Sequence, residues 1–253
     1  MNSQRTLAFA GGLVTAALAL PFAGLLWSTP WTRLKYAQGD IAALCVSVGY
    51  TLIALLIVMV LGTPLAWWLA RHRFRGKWLV DALVLLPLLT PPLAMGLLLA
   101  ISFGPYGWAG QPLQTLGLML TNTPAAFVLA QVYAAAPYYI VSARAAFENV
   151  PRELEQIGLS LGRTPWQVFW RVTVPLSALG LAAGVALAWV RALGEFGVVL
   201  IIAYFPQGIP VKLWVNLQDL GLDAVYPLLW TFFVVALPLP LMLGLASRRQ
   251  PVY

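Results

Sequence analysis

Long apolar segments are the feature that most constrains the fold of this chain. Each could form a helix of about 20 residues, which crosses the roughly 30 Å hydrocarbon core of a bilayer. The six segments are about Leu7 to Leu26, Ile41 to Ala70, Trp78 to Phe103, Thr123 to Ser142, Leu176 to Tyr204 and Ala224 to Ala246. Because a lipid-exposed helix satisfies its own backbone, the sequence predicts an all-α integral membrane fold with about six crossings. We treat residues 1–253 as one transmembrane domain, with an anchor helix at about 7–26 and a core at about 41–246.

The composition agrees with this class and argues against several others. Hydrophobic residues make up 61% of the chain and charged residues 9%, against about 25% charged in soluble domains. One cysteine excludes an intramolecular disulfide, and one histidine disfavours a histidine metal cluster or a Ser-His-Asp triad. We therefore expect no catalytic residues, no metal site and no cofactor bound by this chain. No GxxxxGK[ST] loop is present, so ATP-driven work would need another subunit.

Basic residues are concentrated on one side of the predicted membrane, and this sets the orientation. Eleven of the fifteen Lys and Arg residues fall there: Arg5, Arg71, Arg73, Arg75, Lys77, Arg144, Arg152, Arg163, Arg171, Arg248 and Arg249. Since such residues favour the cytoplasm, we expect both termini on the cytoplasmic side of the cell inner membrane. The net charge of +7 then reflects topology and not nucleic-acid binding.

The first apolar segment has two interpretations. It could be a cleaved signal peptide or an uncleaved anchor helix. The uncharged stretch from Thr6 to Thr32 exceeds the roughly 7 to 15 residues of a signal-peptide core, which favours the anchor.

Proline and glycine positions predict how the spans bend and pack. The third span contains Pro87, Pro91 and Pro92 within one stretch of six residues, which makes a discontinuous helix plausible there. In the fifth span Gly180 and Gly184 begin a ridge of small residues that would let another helix approach closely.

One external loop has the pattern of an amphipathic helix. Polar residues recur at helical spacing at Lys212, Asn216, Asp219 and Asp223. This helix has two equally open interpretations: it could rest on the bilayer surface, or it could contact an external partner.

Two ionisable residues lie inside the fifth predicted span. Arg191 and Glu195 are four residues apart, so a continuous helix would place them on one face. Charged groups within a membrane are rare and costly, and they usually face a bundle interior or an aqueous path. A structural ion pair and a role in a transport pathway or gate are both open.

A polar segment at 148–175 separates apolar spans on the predicted cytoplasmic side. Pro151 suits the start of a helix. Three apolar residues then recur at helical spacing, with Arg152, Glu153 and Gln156 lying off this stripe. The stripe consists of Leu154, Ile157 and Leu161.

Helix signals divide this polar segment at a glycine. Gly162 ends the first helix, Thr164 and Pro165 begin a second short one, and Pro175 opens the next span. Connections between helices commonly need only about 2 to 8 residues, so this longer loop does more than join two spans. The residues alone leave open whether it is a docking surface or a self-packing loop.

The polar segment resembles the EAA loop of ABC importer permeases. That pattern is Glu-Ala-Ala, three residues, Gly, nine residues, then aliphatic, any residue, aliphatic and Pro. Aligned on Gly162, it places Val172, Val174 and Pro175 at the required positions. Further similarity lies in GTPLAWWLAR at Gly62 to Arg71, LPLLTPP at Leu86 to Pro92 and RALGEFG at Arg191 to Gly197. Together these motifs resemble the permeases for molybdate, tungstate and sulfate over about residues 47–196.

The resemblance implies that the loop is a coupling helix seated in a groove of a cytoplasmic ATPase. The coupling residues would be Leu154, Glu155, Gln156, Ile157, Gly158, Leu161, Gly162 and Pro175. The chain departs from the family pattern because Gln156, Ile157 and Gly158 replace Glu-Ala-Ala, and a carboxylate stands one residue early. We therefore expect the apolar stripe, more than a fixed carboxylate, to carry the coupling.

The resemblance also implies a set of partners. These are two cytoplasmic ATPase subunits that bind ATP and Mg²⁺, a second permease that is identical or different, and an external substrate-binding protein. Permeases for polyamine, thiamine or iron share the loop, so the substrate stays open. An ATP-independent secondary transporter or channel would also have six bent spans, but it would not account for the two-helix loop.

Overall fold

The computed structural model describes the backbone of residues 2–247 and the side chains of residues 6–245. Arg248 and Arg249 lie outside the described residues, as does the side chain of Arg5. The described residues form helices and connecting segments, without a β-strand. The helices are α1 Asn2–Ser28, α2 Asp40–Arg71, α3 Lys77–Leu89, α4 Pro92–Phe103, α5 Gly110–Thr115, α6 Pro124–Glu148, α7 Arg152–Ser160, α8 Pro165–Val168, α9 Val174–Leu193, α10 Gly197–Ile202, α11 Ile209–Asp219, α12 Tyr226–Ala236 and α13 Pro238–Ser247.

Within residues 2–247, five helical spans are long and apolar enough to cross a membrane, or six if α3 and α4 count as one bent span. The all-α membrane fold predicted from the sequence is therefore confirmed. The bend between α3 and α4 is 112° and falls at the predicted proline cluster. Pro91 is extended there and cannot donate to the helix ladder, while Pro92 starts α4.

The fifth span differs from the prediction at both ends. It was expected from Leu176 to Tyr204, but its helical course begins at Pro165 and ends at Leu193. A π-helical turn, Phe169–Thr173, joins α8 to α9, so Pro175 lies in the first turn of α9 without beginning a separate helix. The span therefore includes the second helix of the polar segment.

The core is divided between two groups of buried side chains. The first lies among α2, α6 and α9 and includes Leu55, Phe147 and Trp189. The second lies among α4, α6 and α10 and includes Phe127 and Ile202. Helix α6 contributes to both groups, so it is the central element of the bundle.

Small residues let α6 and α9 approach closely. A Cβ atom at Gly180 would lie 2.4 Å from the Cβ of Ala146, and one at Gly184 would lie 3.1 Å from the Cβ of Ser142. The Ser142 hydroxyl also donates to the Gly180 carbonyl at 3.2 Å. In lipid, where apolar surface alone does not drive association, such backbone proximity supplies dispersion and hydrogen bonding.

Helix α11 corresponds to the amphipathic helix expected from the external loop, but its polar stripe does not face outward as one surface. Asn216 is fully buried, and its amide donates to Asp40 at 2.9 Å. Asp223 lies in a separate 3₁₀ turn after Gly221. Asp219 and Asp223 remain exposed. The buried carboxylate of Asp40 at the start of α2 needs donors, and this requirement turns Asn216 inward.

We expect Gly180→Ala to destabilise the protein by about 1–3 kcal/mol, because the added methyl group would overpack the α6–α9 contact. Gly49→Ala is the matched control, since its Cβ would meet nothing within 4 Å and alanine favours helix. Thermal unfolding in detergent measures both. Equal stability of the two variants would contradict the packing assignment.

Candidate functional site

The polar segment folds as two helical pieces separated at Gly162. Helix α7 begins after Pro151, and Gly162 follows its end with φ +79°, a left-handed backbone that favours glycine. Thr164 then forms a capping box with Gln167: its hydroxyl accepts from the Gln167 backbone N–H, and the Gln167 side chain accepts from the Thr164 N–H. These local interactions follow from the sequence signals.

Helix α7 exposes the apolar stripe found in the sequence. Leu154, Ile157 and Leu161 are 41%, 55% and 77% exposed. They lie beside charged residues and not within a membrane-spanning helix. A short helix that leaves such side chains uncovered has the form of a helix-in-groove ligand.

The opposite side of α7 is fixed to the bundle through Glu155. Its carboxylate accepts hydrogen bonds from Arg71 at 2.8 Å and from the Thr173 hydroxyl at 2.6 Å. The side chains of Arg71 and Glu155 are only 8% and 16% exposed. Arg71 ends α2 and Thr173 ends the π turn, so one carboxylate joins α7 to two spans.

The other residues predicted to take part in coupling divide between these two sides. A Cβ atom at Gly158 would lie 3.0 Å from Val168, so the missing side chain lets α7 lie close to α8. Gln156, in contrast, is exposed. The departure from Glu-Ala-Ala thus places the carboxylate at position 155, facing inward, where it positions the helix.

Further ion pairs organise this charged end of the bundle. Arg144 contacts Asp81 of α3 at 2.6 Å and Glu148 of its own helix at 2.8 Å. Arg152 donates to the Arg71 carbonyl at 3.2 Å. The structure therefore brings α2, α3, α6 and α7 together around basic residues that are distant in sequence.

The Arg191–Glu195 pair forms, but not on one helical face as predicted. Helix α9 ends at Leu193, and Glu195 lies in the break before α10. Its side chain is 1% exposed, is paired with Arg191 and accepts from the Val198 N–H at 2.7 Å. The carboxylate therefore neutralises the cation and satisfies a backbone donor that the break leaves free.

A buried glutamine that the sequence reasoning missed satisfies the other side of this break. Gln131 of α6 donates to the Ala192 carbonyl at 3.1 Å and to Thr51 of α2 at 2.8 Å. Its side-chain oxygen is buried without a hydrogen-bond partner within the described part of the chain. The available signal was an uncharged polar residue in the middle of an apolar span.

The two sets of candidate residues occupy different places along α9. Thr173, which contacts Glu155, and Arg191 are separated by about 27 Å at 1.5 Å rise per residue. Helix α9 is therefore a direct physical connection between the α7 surface and the intramembrane break.

The sequence has clear relatives among transport proteins. Residues 62–249 match the family described as binding-protein-dependent transport system inner membrane component. A probable molybdenum ABC transporter permease of Haloferax volcanii is 44% identical over 68% of this chain and 62% of its own length. The molybdenum transport system permease of Azotobacter vinelandii is 37% identical over 67% of this chain and 75% of its own. The sulfate transport system permease CysT of Escherichia coli is 34% identical over 76% of this chain and 69% of its own.

The fold has solved counterparts. A bacterial alginate ABC transporter, crystallised with an alginate-bound periplasmic protein, contains a chain that matches with a TM-score of 0.75 at 20% identity, covering 96% of this chain and 94% of that one. Together with the sequence match, the chain belongs to the binding-protein-dependent transport system inner membrane component family. It is thus an inner-membrane permease of the ABC importer class.

We expect Glu155→Ala to destabilise the protein by about 3 kcal/mol, because Arg71 would be left as a buried cation without its carboxylate. Amide exchange in residues 152–160 should also become faster, since α7 loses its attachment to α2 and the π turn. Glu153→Ala is the control on the same helix, with an exposed carboxylate. Unchanged exchange in α7 of the Glu155 variant would contradict the anchoring role.

Proposed function

We propose that this chain is the permease subunit of an ATP-driven importer of a small oxyanion, with α7 docking into a groove of a cytoplasmic ATPase. The observation that carries this proposal is the exposed Leu154–Ile157–Leu161 stripe on a helix whose opposite side is fixed by Glu155. An uncovered apolar face needs a partner, and an anchored helix can transmit the partner's movement.

The anchoring gives a physical route for coupling. Glu155 bonds Arg71 of α2 and Thr173 at the entry to α9. A displacement of α7 when two ATPase subunits close on ATP and Mg²⁺ therefore moves both spans. Helix α9 leads to the break at Gly194, so the movement reaches the middle of the bundle. Alternating access follows as rigid helices rock about the packed interface.

Different observations support the proposed substrate and the proposed orientation of the chain in the membrane. Relatives named as molybdenum and sulfate permeases favour a tetrahedral dianion, with molybdate first and tungstate or sulfate next. The excess of Lys and Arg at the α7 end of the bundle supports a cytoplasmic location for that end. A second permease, identical or different, completes the pathway, and an external binding protein selects the anion.

The Arg191–Glu195 pair serves as a gate element in this proposal. Half-helices that end within a membrane are typical of transport sites, where backbone groups can face a pathway. Here the ends are held by Gln131 and by Glu195. A neutralised pair suits passage of a dianion, because an uncompensated arginine would bind it too tightly for release.

We expect Leu161→Asp and Gly162→Pro to abolish ATP-dependent molybdate uptake while the protein remains inserted. The first places a charge in the docking face, and the second forbids the left-handed turn. Uptake into proteoliposomes that contain the ATPase and the binding protein is measured by metal analysis, with tungstate and sulfate as competitors.

Leu159→Asp is the matched control for the docking face, because Leu159 is also exposed but lies about 160–200° around the helix from Ile157 and Leu161 at 100° per residue. It should retain uptake. Normal uptake by both Leu161→Asp and Gly162→Pro would contradict the proposed docking of α7 on the ATPase. Uptake independent of ATP would instead indicate a secondary transporter or channel.

Arg191→Met and Glu195→Gln, singly and together, test the gate. Each single variant leaves one charge without its partner, so we expect transport to fall at least tenfold with expression retained. The double variant should recover part of this loss, because no unpaired charge remains. Wild-type transport and expression in both single variants would rule out a pathway role.

A further inference from the structure

A basic cavity of about 510 Å³ lies between the charged ends of α2, α3, α6 and α7. Five cationic side chains line it: Arg71, Arg73, Lys77, Arg144 and Arg152. Arg71 and Arg144 are paired with carboxylates. Among the side chains that the structure describes, the other three form no ion pair. Glu148 and Glu153 also line the cavity, and Glu148 is held by Arg144. Positive charge is therefore left available to an anion.

One cation of the cavity is buried and incompletely satisfied. The Arg71 side chain is more than nine-tenths buried. Its Nη2 atom bonds Glu155 and the Val150 carbonyl, whereas its Nε atom has no hydrogen-bond partner within residues 6–245. This Nε atom is itself shielded from solvent, so Arg71 contributes positive potential at the wall of the cavity and not a direct contact with an anion.

An apolar groove between α3 and α6 adjoins the basic cavity, with the Arg144, Asp81 and Glu148 side chains at their boundary. This groove, of about 270 Å³, is lined by Val84 and Leu85 of α3 and by Ile140 and Val141 of α6. It shares Arg144 and Glu148 with the cavity. Both helices belong to candidate membrane-spanning segments, so the groove follows two spans away from the charged end.

The start of α3 carries the residue types of a membrane interface. Lys77 begins this helix, and the next residue, Trp78, is 73% exposed. An exposed tryptophan beside a lysine at the end of a spanning helix is typical of the membrane interface. The cavity and the groove therefore match the two parts of one amphiphile, a charged head and an apolar chain.

From this juxtaposition we infer that the α2–α3 loop and the α3–α6 groove form a binding site for an anionic glycerophospholipid. Its phosphate occupies the cavity beside Arg73, Lys77 and Arg152, and an acyl chain lies along Val84, Leu85, Ile140 and Val141. Basic pockets between spanning helices on the cytoplasmic side are suited to such headgroups. An acidic surface of a soluble partner would match the cavity but would leave the apolar groove unfilled.

Arg73→Gln tests the headgroup contact, and Arg75→Gln is its matched control. Both arginines lie in the loop between α2 and α3, but only Arg73 lines the cavity. Native mass spectrometry of the full-length protein in detergent, titrated with phosphatidylglycerol or phosphatidylcholine, gives the dissociation constants. We expect Arg73→Gln to weaken phosphatidylglycerol binding about tenfold and Arg75→Gln to change it less than twofold, with phosphatidylcholine binding weaker throughout.

Val141→Trp tests the acyl-chain contact, because the indole would fill the groove from its exposed edge. It should weaken phosphatidylglycerol binding at least fivefold, and glycerol 3-phosphate or inorganic phosphate should not compete. Equal losses for Arg73→Gln and Arg75→Gln would overturn the site in favour of unspecific surface charge. Competition by free phosphate would overturn the lipid as occupant. Unchanged lipid binding by Arg73→Gln, with weaker ATPase association, would assign the cavity to the ATPase instead.

Discussion

The absence of water in the hydrocarbon core governs the architecture of this permease. A helix broken within lipid leaves N–H and C=O groups that only the protein can satisfy. The break after Leu193 meets this demand through Gln131, which bonds the Ala192 carbonyl, and through Glu195, which accepts from Val198. At the bend before Pro92 this demand is smaller, because Pro91 has no backbone N–H that would need an acceptor. Interruptions in the bundle are thus stabilised by specific side chains.

The two sides of α7 differ in whether their side chains have partners within the protein. Its inner side is bonded through Glu155 to α2 and the π turn, while its outer side keeps three apolar side chains exposed. If both sides were mobile, a displacement of α7 would not be passed on to the spans. Because one side is fixed by a largely buried ion pair, the helix can act as a rigid extension of the spans.

Much of this organisation could be predicted from the sequence. The apolar lengths predicted the spans, the proline cluster predicted the break between α3 and α4, and Gly162 with Thr164 and Pro165 predicted the division of the polar segment. These signals are local, because they depend on backbone chemistry within a few residues. The end of α9 was predicted wrongly, because most residues from Leu193 to Tyr204 are apolar. Hydropathy does not reveal a break in the helix when a side chain of another helix satisfies its backbone groups, as Gln131 does here. The inward orientation of Asn216 was missed because its partner, Asp40, is 176 residues away.

The sequence by itself determined the class of protein, most of the spans and the position of α7, because bilayer thickness and helix capping act on neighbouring residues. Only the tertiary structure decided which side of α7 is free, that Glu155 faces Arg71 and Thr173, and that Gln131 supports the break in α9. Those contacts join residues separated by 18 to 84 positions. Their energies depend on burial and mutual distance, which exist only once the helices are packed.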